Sequence, residues 1–188
     1  VEAIAREKGA LLRALPADGF AVLCRETECF GQLAEASAAP VVTTSLVTED
    51  ADFSGRFLDP MSGMVCVLER ETGVQTVLRS GLPGEHNASD LLLAFAAART
   101  AGVPPQEAAQ ALLRLTLPGM RWEVSVRAGV MFVNDAYNAN PQSMAAVLRT
   151  FMKLPCEGRR VVVLGDMLEL GGHAEALHRE VGRCVAEL

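Results

Sequence analysis

The chain has 188 residues, half of them hydrophobic, with 17 Lys and Arg against 23 Asp and Glu for a net charge of −6. That length allows one large domain or two small or incomplete ones, with enough apolar residues for a real core. No basic block or aromatic-interleaved Lys/Arg patch suggests nucleic acid as a partner, and no apolar run approaches the roughly 20 residues of a membrane span.

In chain order, the first 15 residues read as an amphipathic helix, with Ala3, Ile4, Leu11, Leu12 and Leu15 on one stripe. The turn Pro16-Ala17-Asp18-Gly19 precedes a buried strand at 20–24. Residues 30–38 have a helical pattern, and 41–46 read as another strand. Residues 64–68 and 74–78, split by Glu71-Thr72-Gly73, resemble a hairpin. An alanine-rich helix follows from about 88 to 101, stopped by Gly102, and then a second from Pro105 to about Leu115. Pro118-Gly119 breaks the pattern, so a domain boundary is expected there, dividing 1–119 from 120–188. Beyond it come a strand at 130–133, a helix at 142–154, a strand at 161–164 and a last helix from Ala174. Alternation of strand and helix at this spacing predicts a parallel, doubly wound sheet. Helical patterns run to both ends of the chain, so a piece of a longer enzyme is expected. The cysteines, Cys24, Cys29, Cys66, Cys156 and Cys184, are odd in number and lack CxxC spacing, which predicts reduced thiols.

The stretch Asn134-Asp135-Ala136-Tyr137-Asn138-Ala139-Asn140-Pro141 carries the most functional information. It joins a strand's carboxyl end to a helix's amino end, where open α/β sheets bind nucleotides and anions. Asn140 is a good N-cap and Pro141 suits the first helical position. The residues by themselves fit a binding loop and a well-capped connection equally, because turn chemistry also favours Asn and Asp.

Four blocks in order carry a family resemblance: Ala5-Arg6-Glu7-Lys8-Gly9, Gly84-Glu85-His86-Asn87, the loop 134–141, and Gly165-Asp166-Met167-Leu168-Glu169-Leu170-Gly171. With them the chain resembles the Mur ligase family, in its MurF-type branch. The resemblance implies an α/β fold in which 1–119 is the second half of a central ATPase domain. Residues 120–188 would be the first half of a Rossmann-like C-terminal domain. It implies an ATP- and Mg²⁺-dependent ligase that phosphorylates a carboxylate of UDP-N-acetylmuramoyl-tripeptide. The amine of D-alanyl-D-alanine then attacks the acyl phosphate. A bacterial cytoplasmic monomer is expected. No glycine-rich loop ending in Gly-Lys-Ser/Thr occurs in these residues, so the 188 residues alone are expected to be inactive.

The resemblance also implies roles. Lys8 matches a lysine that is often carbamylated and supports a Mg²⁺ ion, though a solvated helix lysine has the same local pattern. Asn87, beside His86, matches the asparagine that meets the ATP base; a plain N-cap just before the helix is the other reading. Arg121 carries the phosphate-contacting arginine, or is a surface arginine near a hinge. Asp135 matches the aspartate that holds the ATP ribose, with Tyr137, Asn138 and Asn140 shaping the closed site. Asp166 and Glu169 would face the dipeptide's ammonium, or form an ordinary acidic turn. Asp90 stands where the family usually has a second Asn, and Cys24-Arg25-Glu26-Thr27 replaces an Asn-x-Asp-Asp pattern. The alternatives are another Mur-like amide ligase, a folylpolyglutamate-synthase relative, or a non-catalytic Mur-like module.

Overall fold

Hydrophobic alternation and helix punctuation build two compact units, one ending at Leu115 and the other beginning at Thr116. The computed structural model describes residues 2–59 and 61–187. In the first unit, helix α1 (Glu2–Arg13) packs on α2 (Phe30–Ala36). A five-stranded sheet runs β1 (Ala21–Cys24), β2 (Val41–Ser45), β3 (Phe53–Asp59), β4 (Met64–Glu69) and β5 (Gln75–Arg79), in that spatial order. β1, β2 and β3 are parallel, and β3, β4 and β5 antiparallel. Helices α3 (Glu85–Thr100) and α4 (Pro105–Leu113) cover the sheet.

The period-2 pattern of β4 buries Val65 and Val67 completely, and they meet Leu91, Leu92 and Phe95 of α3. Phe53 and Phe95 stand edge to face with ring centres 6.2 Å apart. Glu69 continues the inward row and is buried, which it tolerates because Arg99 grips both carboxylate oxygens at 3.0 and 3.1 Å. The predicted hairpin and both predicted helices are present. All five cysteines are free. No helix among the described residues is long and apolar enough to cross a membrane.

β3 escapes a reading of the sequence because its first half contains Ser54-Gly55, poor strand formers. Its glycine answers to packing. A Cβ on Gly55 would come within 2.7 Å of Leu46 and 3.1 Å of both Leu92 and Val65. Gly63, in the turn between β3 and β4, has φ +63, and a Cβ there would run into the Leu82 carbonyl oxygen. We expect Gly63→Ala to destabilise the protein by at least about 2 kcal/mol, from left-handed strain plus backbone overlap. A lowered denaturant midpoint at unchanged slope would show it, whereas an unchanged midpoint would mean that the turn relaxes freely.

The second unit holds a hairpin of β6 (Glu123–Arg127) and β7 (Val130–Asn134), then α5 (Pro141–Lys153), a short 3₁₀ turn at Gly171–His173 and α6 (Ala174–Glu187). Ala128 and Gly129 both have positive φ, 48° and 78°, which suits the two-residue turn between twisted strands. Leu148, Met167 and Val181 form its small core, with Met144, Val162, Leu177 and Cys184 packed around them. The strand expected at 161–164 does not form. Val162 tucks into this core, but Val163 is 92% exposed and the segment finds no ladder partner among the described residues. The pairing in this unit is therefore antiparallel rather than the predicted parallel one.

Candidate functional site

Helix capping shapes the loop between β7 and α5. Asn140 has extended backbone, its Oδ1 accepts the Ser143 N–H at 2.9 Å, and its own N–H donates to Ser143 Oγ at 3.3 Å. This reciprocal cap makes the predicted N-cap real and commits the Asn140 acceptor to α5. Asn138 Oδ1 takes the Ala139 N–H at 2.9 Å, and Asn134 Oδ1 takes the Ala136 N–H at 3.3 Å. Such short-range bonds stiffen the loop without the help of a sheet.

The loop is laced to residues 120–122. Asp135, half-buried, accepts the Trp122 N–H on Oδ1 at 2.8 Å, and the Tyr137 N–H donates to the Met120 carbonyl at 3.1 Å. The Arg121 guanidinium lies 4.2 Å from the centre of the Tyr137 ring, a cation–π contact. Met120 and Trp122 adopt left-handed φ values of 60° and 45°, and Trp122, 7% exposed, anchors the turn. Arg121, Asp135 and Tyr137 thus form one constellation on the turn at 120–122. It offers a cation, a carboxylate whose Oδ2 takes no hydrogen bond among the described residues, and an exposed ring. That set suits phosphate oxygens beside a vicinal diol.

A second loop, 165–171, brings Asp166 and Glu169 to the surface on either side of Met167, which is buried in the small core. Glu169 has φ 62. Sequence reasoning passed over two contributors to these loops. Trp122 and His178 both bind loop backbone or side chains from a distance, and only a lone tryptophan after Pro-Gly and a histidine inside a helix hinted at them.

In the first unit, Lys8 is exposed on α1, whose buried positions are Ala5 and Gly9, and no ion pair among the described residues engages it. His86 and Asn87 lie in the first turn of α3. The helix starts earlier than expected, at Glu85, with Gly84 at φ 102 in the N-cap position, so Asn87 is no N-cap. Its Nδ2 instead donates to the Pro83 carbonyl at 2.7 Å, leaving a second hydrogen and Oδ1 for another group. Asp90 lies exposed on the same helix.

At the carboxyl end of β1, Glu26 is folded onto its own strand ends. It accepts hydrogen bonds from Ser45 Oγ, from Cys24 Sγ at 3.1 Å and from the Leu46 N–H at 3.4 Å. Burial pushes its carboxyl pKa upward, but the Ser45, Cys24 and Leu46 donors outweigh it and hold the group below the usual carboxylate range. Burial, reinforced by the Glu26 carboxylate, raises the Cys24 thiol, so this thiol stays protonated. The divergent block is a satisfied structural cluster.

Two family models match the chain. One, for the Mur ligase middle domain, covers residues 1–98, and one, for the Mur ligase glutamate ligase domain, covers 120–188. The chain belongs to the Mur ligase family. A UDP-N-acetylmuramoyl-tripeptide–D-alanyl-D-alanine ligase of Bacillus subtilis is 37% identical over 115 residues, 61% of this chain and 25% of the relative. The ligase of the same name from Escherichia coli is 30% identical over 182 residues, 95% of this chain and 40% of the relative. Among solved structures, MurF from Acinetobacter baumannii matches with a TM-score of 0.88 and 25% identity, over 100% of this chain and 40% of that one. This Mur ligase chain therefore spans at most about two fifths of the length of these relatives.

Proposed function

We propose that this chain is part of an ATP-dependent ligase that joins D-alanyl-D-alanine to UDP-N-acetylmuramoyl-tripeptide in peptidoglycan precursor synthesis. The observation that carries this reading is a relative of that name aligned across 95% of the chain. The constellation of Arg121, Asp135 and Tyr137 fits it chemically. In this reading, residues 1–119 belong to a central ATP-binding domain and 120–188 to a Rossmann-like C-terminal domain. The full-length protein acts as a cytoplasmic monomer. The shared name sets aside other amide ligases and a folylpolyglutamate-synthase relative.

Each residue then has a chemical task. Arg121 meets phosphate oxygens, whose charge grows as the acyl phosphate forms. Asp135 accepts from the ribose hydroxyls through Oδ2, while its Oδ1 stays on Trp122. Asn87 offers an amide edge to adenine, with His86 beside it. Tyr137, Asn138 and Asn140 wall the nucleotide. Asp166 and Glu169 attract the dipeptide's ammonium, which must lose a proton before its nitrogen attacks the acyl carbon and phosphate departs. Mg²⁺ would neutralise phosphate charge when bound. No group of three or more His, Cys, Asp or Glu side chains able to hold a metal ion lies among the described residues. Carbamylated Lys8 would add one anionic oxygen ligand, which suits an ion that takes one or two protein ligands and completes its shell with water and phosphate oxygens.

The test is direct. Full-length protein given both substrates and ATP should yield the extended nucleotide-peptide and one phosphate per bond, read by mass spectrometry. Ligation of single amino acids but not the dipeptide would overturn the reading. We further expect the 188 residues alone to hydrolyse ATP at background rate, since no lysine-bearing phosphate loop cradles the β- and γ-phosphates. Robust turnover that is lost on mutating Asp135 would refute that expectation.

A further inference from the structure

The loop 165–171 follows a segment without ladder bonds, so something other than a sheet must hold its backbone. Met167 supplies one anchor by burying its side chain beside Leu148 and Val181. His178, eleven residues further on in α6, supplies another: its Nε2 lies 3.0 Å from the Met167 backbone nitrogen. Its Nδ1 lies 2.7 Å from the Ala174 carbonyl oxygen. A carbonyl can only accept and a backbone N–H can only donate. In this arrangement Nδ1 donates to the Ala174 carbonyl and Nε2 accepts the Met167 N–H. Both nitrogens are used, one on the helix and one on the loop. Asp166 Oδ1 stands 3.9 Å from Nε2, beyond hydrogen-bonding distance, and its side chain is 91% exposed. The ring thus grips the residue after Asp166 without consuming the Asp166 carboxylate.

We propose that His178 is a positioning residue that fixes loop 165–171, and with it Asp166 and Glu169, to receive the ammonium of the incoming dipeptide. The proposal rests on the reading of that loop given above. An imidazole holding a backbone N–H selects one loop conformation before substrate arrives, so binding does not have to order the loop.

The experiment uses full-length protein with His178→Leu, His178→Gln, His178→Asn and Asp166→Asn. Leu removes both hydrogen bonds while keeping apolar bulk. Gln reaches Met167 with its carbonyl oxygen, and Asn is too short to do so. We expect His178→Leu and His178→Asn to raise the dipeptide KM about tenfold, with the ATP KM within about twofold of wild type. Hydrogen exchange in the peptide covering 165–171 should accelerate in both. His178→Gln should restore the dipeptide KM and the slow exchange. If Leu fails to fold, the Asn and Gln pair carries the comparison. An unchanged dipeptide KM, equal shifts in both KM values, or a Gln variant no better than Asn would overturn the proposal. Asp166→Asn separates the two ideas. If it raises the dipeptide KM while the His178 variants do not, only the role of His178 is wrong. If neither residue matters, the reading of the loop fails and takes the proposal with it. If only His178 matters, it acts through something other than this carboxylate, which also overturns the proposal.

Discussion

Replacing Lys8 by alanine in the full-length ligase should abolish ligation and leave the fold intact. The side chain is exposed on α1, whose packing rests on Ala5 and Gly9, so truncation removes no core contact. Exposed substitutions of this kind usually change stability by less than about 0.5 kcal/mol, and the melting temperature should move by no more than about 2–3 °C. The expected loss of activity comes from charge. A lysine amine that takes up carbon dioxide becomes a carbamate, so a cation is exchanged for an anion at the same place on the helix. Removing one preorganised charge near a transferring phosphoryl group costs about a hundredfold or more in kcat. Lys8→Arg makes the test sharp. It keeps the positive charge and the helix propensity but cannot form the carbamate, so it should be as inactive as alanine. Bicarbonate should rescue neither variant, and Lys8→Glu should recover part of the rate by restoring negative charge. Near-normal turnover in Lys8→Arg would make Lys8 an ordinary solvated lysine.

Asp135→Ala should cost both stability and ATP use, and the two losses can be separated. As a loop residue at a strand's carboxyl end, Asp135 would be expected to matter little for folding unless it capped something. It does cap something: its Oδ1 takes the N–H of Trp122, which is buried and held at φ 45. Leaving that donor without an acceptor costs about 1–3 kcal/mol. In a unit of this size each kcal/mol lowers the melting temperature by roughly 4–8 °C. The open Oδ2 would meanwhile lose the ribose, and kcat/KM for ATP should fall at least about tenfold. Asp135→Asn retains a carbonyl oxygen for Trp122 but gives up the charge. It should melt near wild type and still show the kinetic defect. Unchanged ATP kinetics in both variants would remove Asp135 from the site and leave it a purely structural cap.

What could be read from the chain alone was chemistry that acts over a few residues. Asn140-Pro141 announces a capped helix because both requirements, an acceptor for a free N–H and a φ preset for the first turn, are met locally. The alternation in β4 and the apolar helix α3 likewise carry their own period, and the four family blocks stand in order along the chain. Long-range partners were invisible. β3 exists because strands flank it on both sides, although Gly55 within it favours no strand. The run 161–164 has the composition of a strand but finds no ladder partner among the described residues, so composition alone misled. The second use of Asp135 depends on Trp122, thirteen residues back in the chain, and the grip on Met167 depends on a histidine eleven residues ahead. Caps and periods are set by the residue and its immediate neighbours, whereas a hydrogen bond across a loop exists only once packing has brought donor and acceptor within about 3 Å. The sequence by itself therefore determined the locally coded elements, the family and which residues are candidates for chemistry. The tertiary structure alone decided which of those residues are already engaged and which remain open to a ligand.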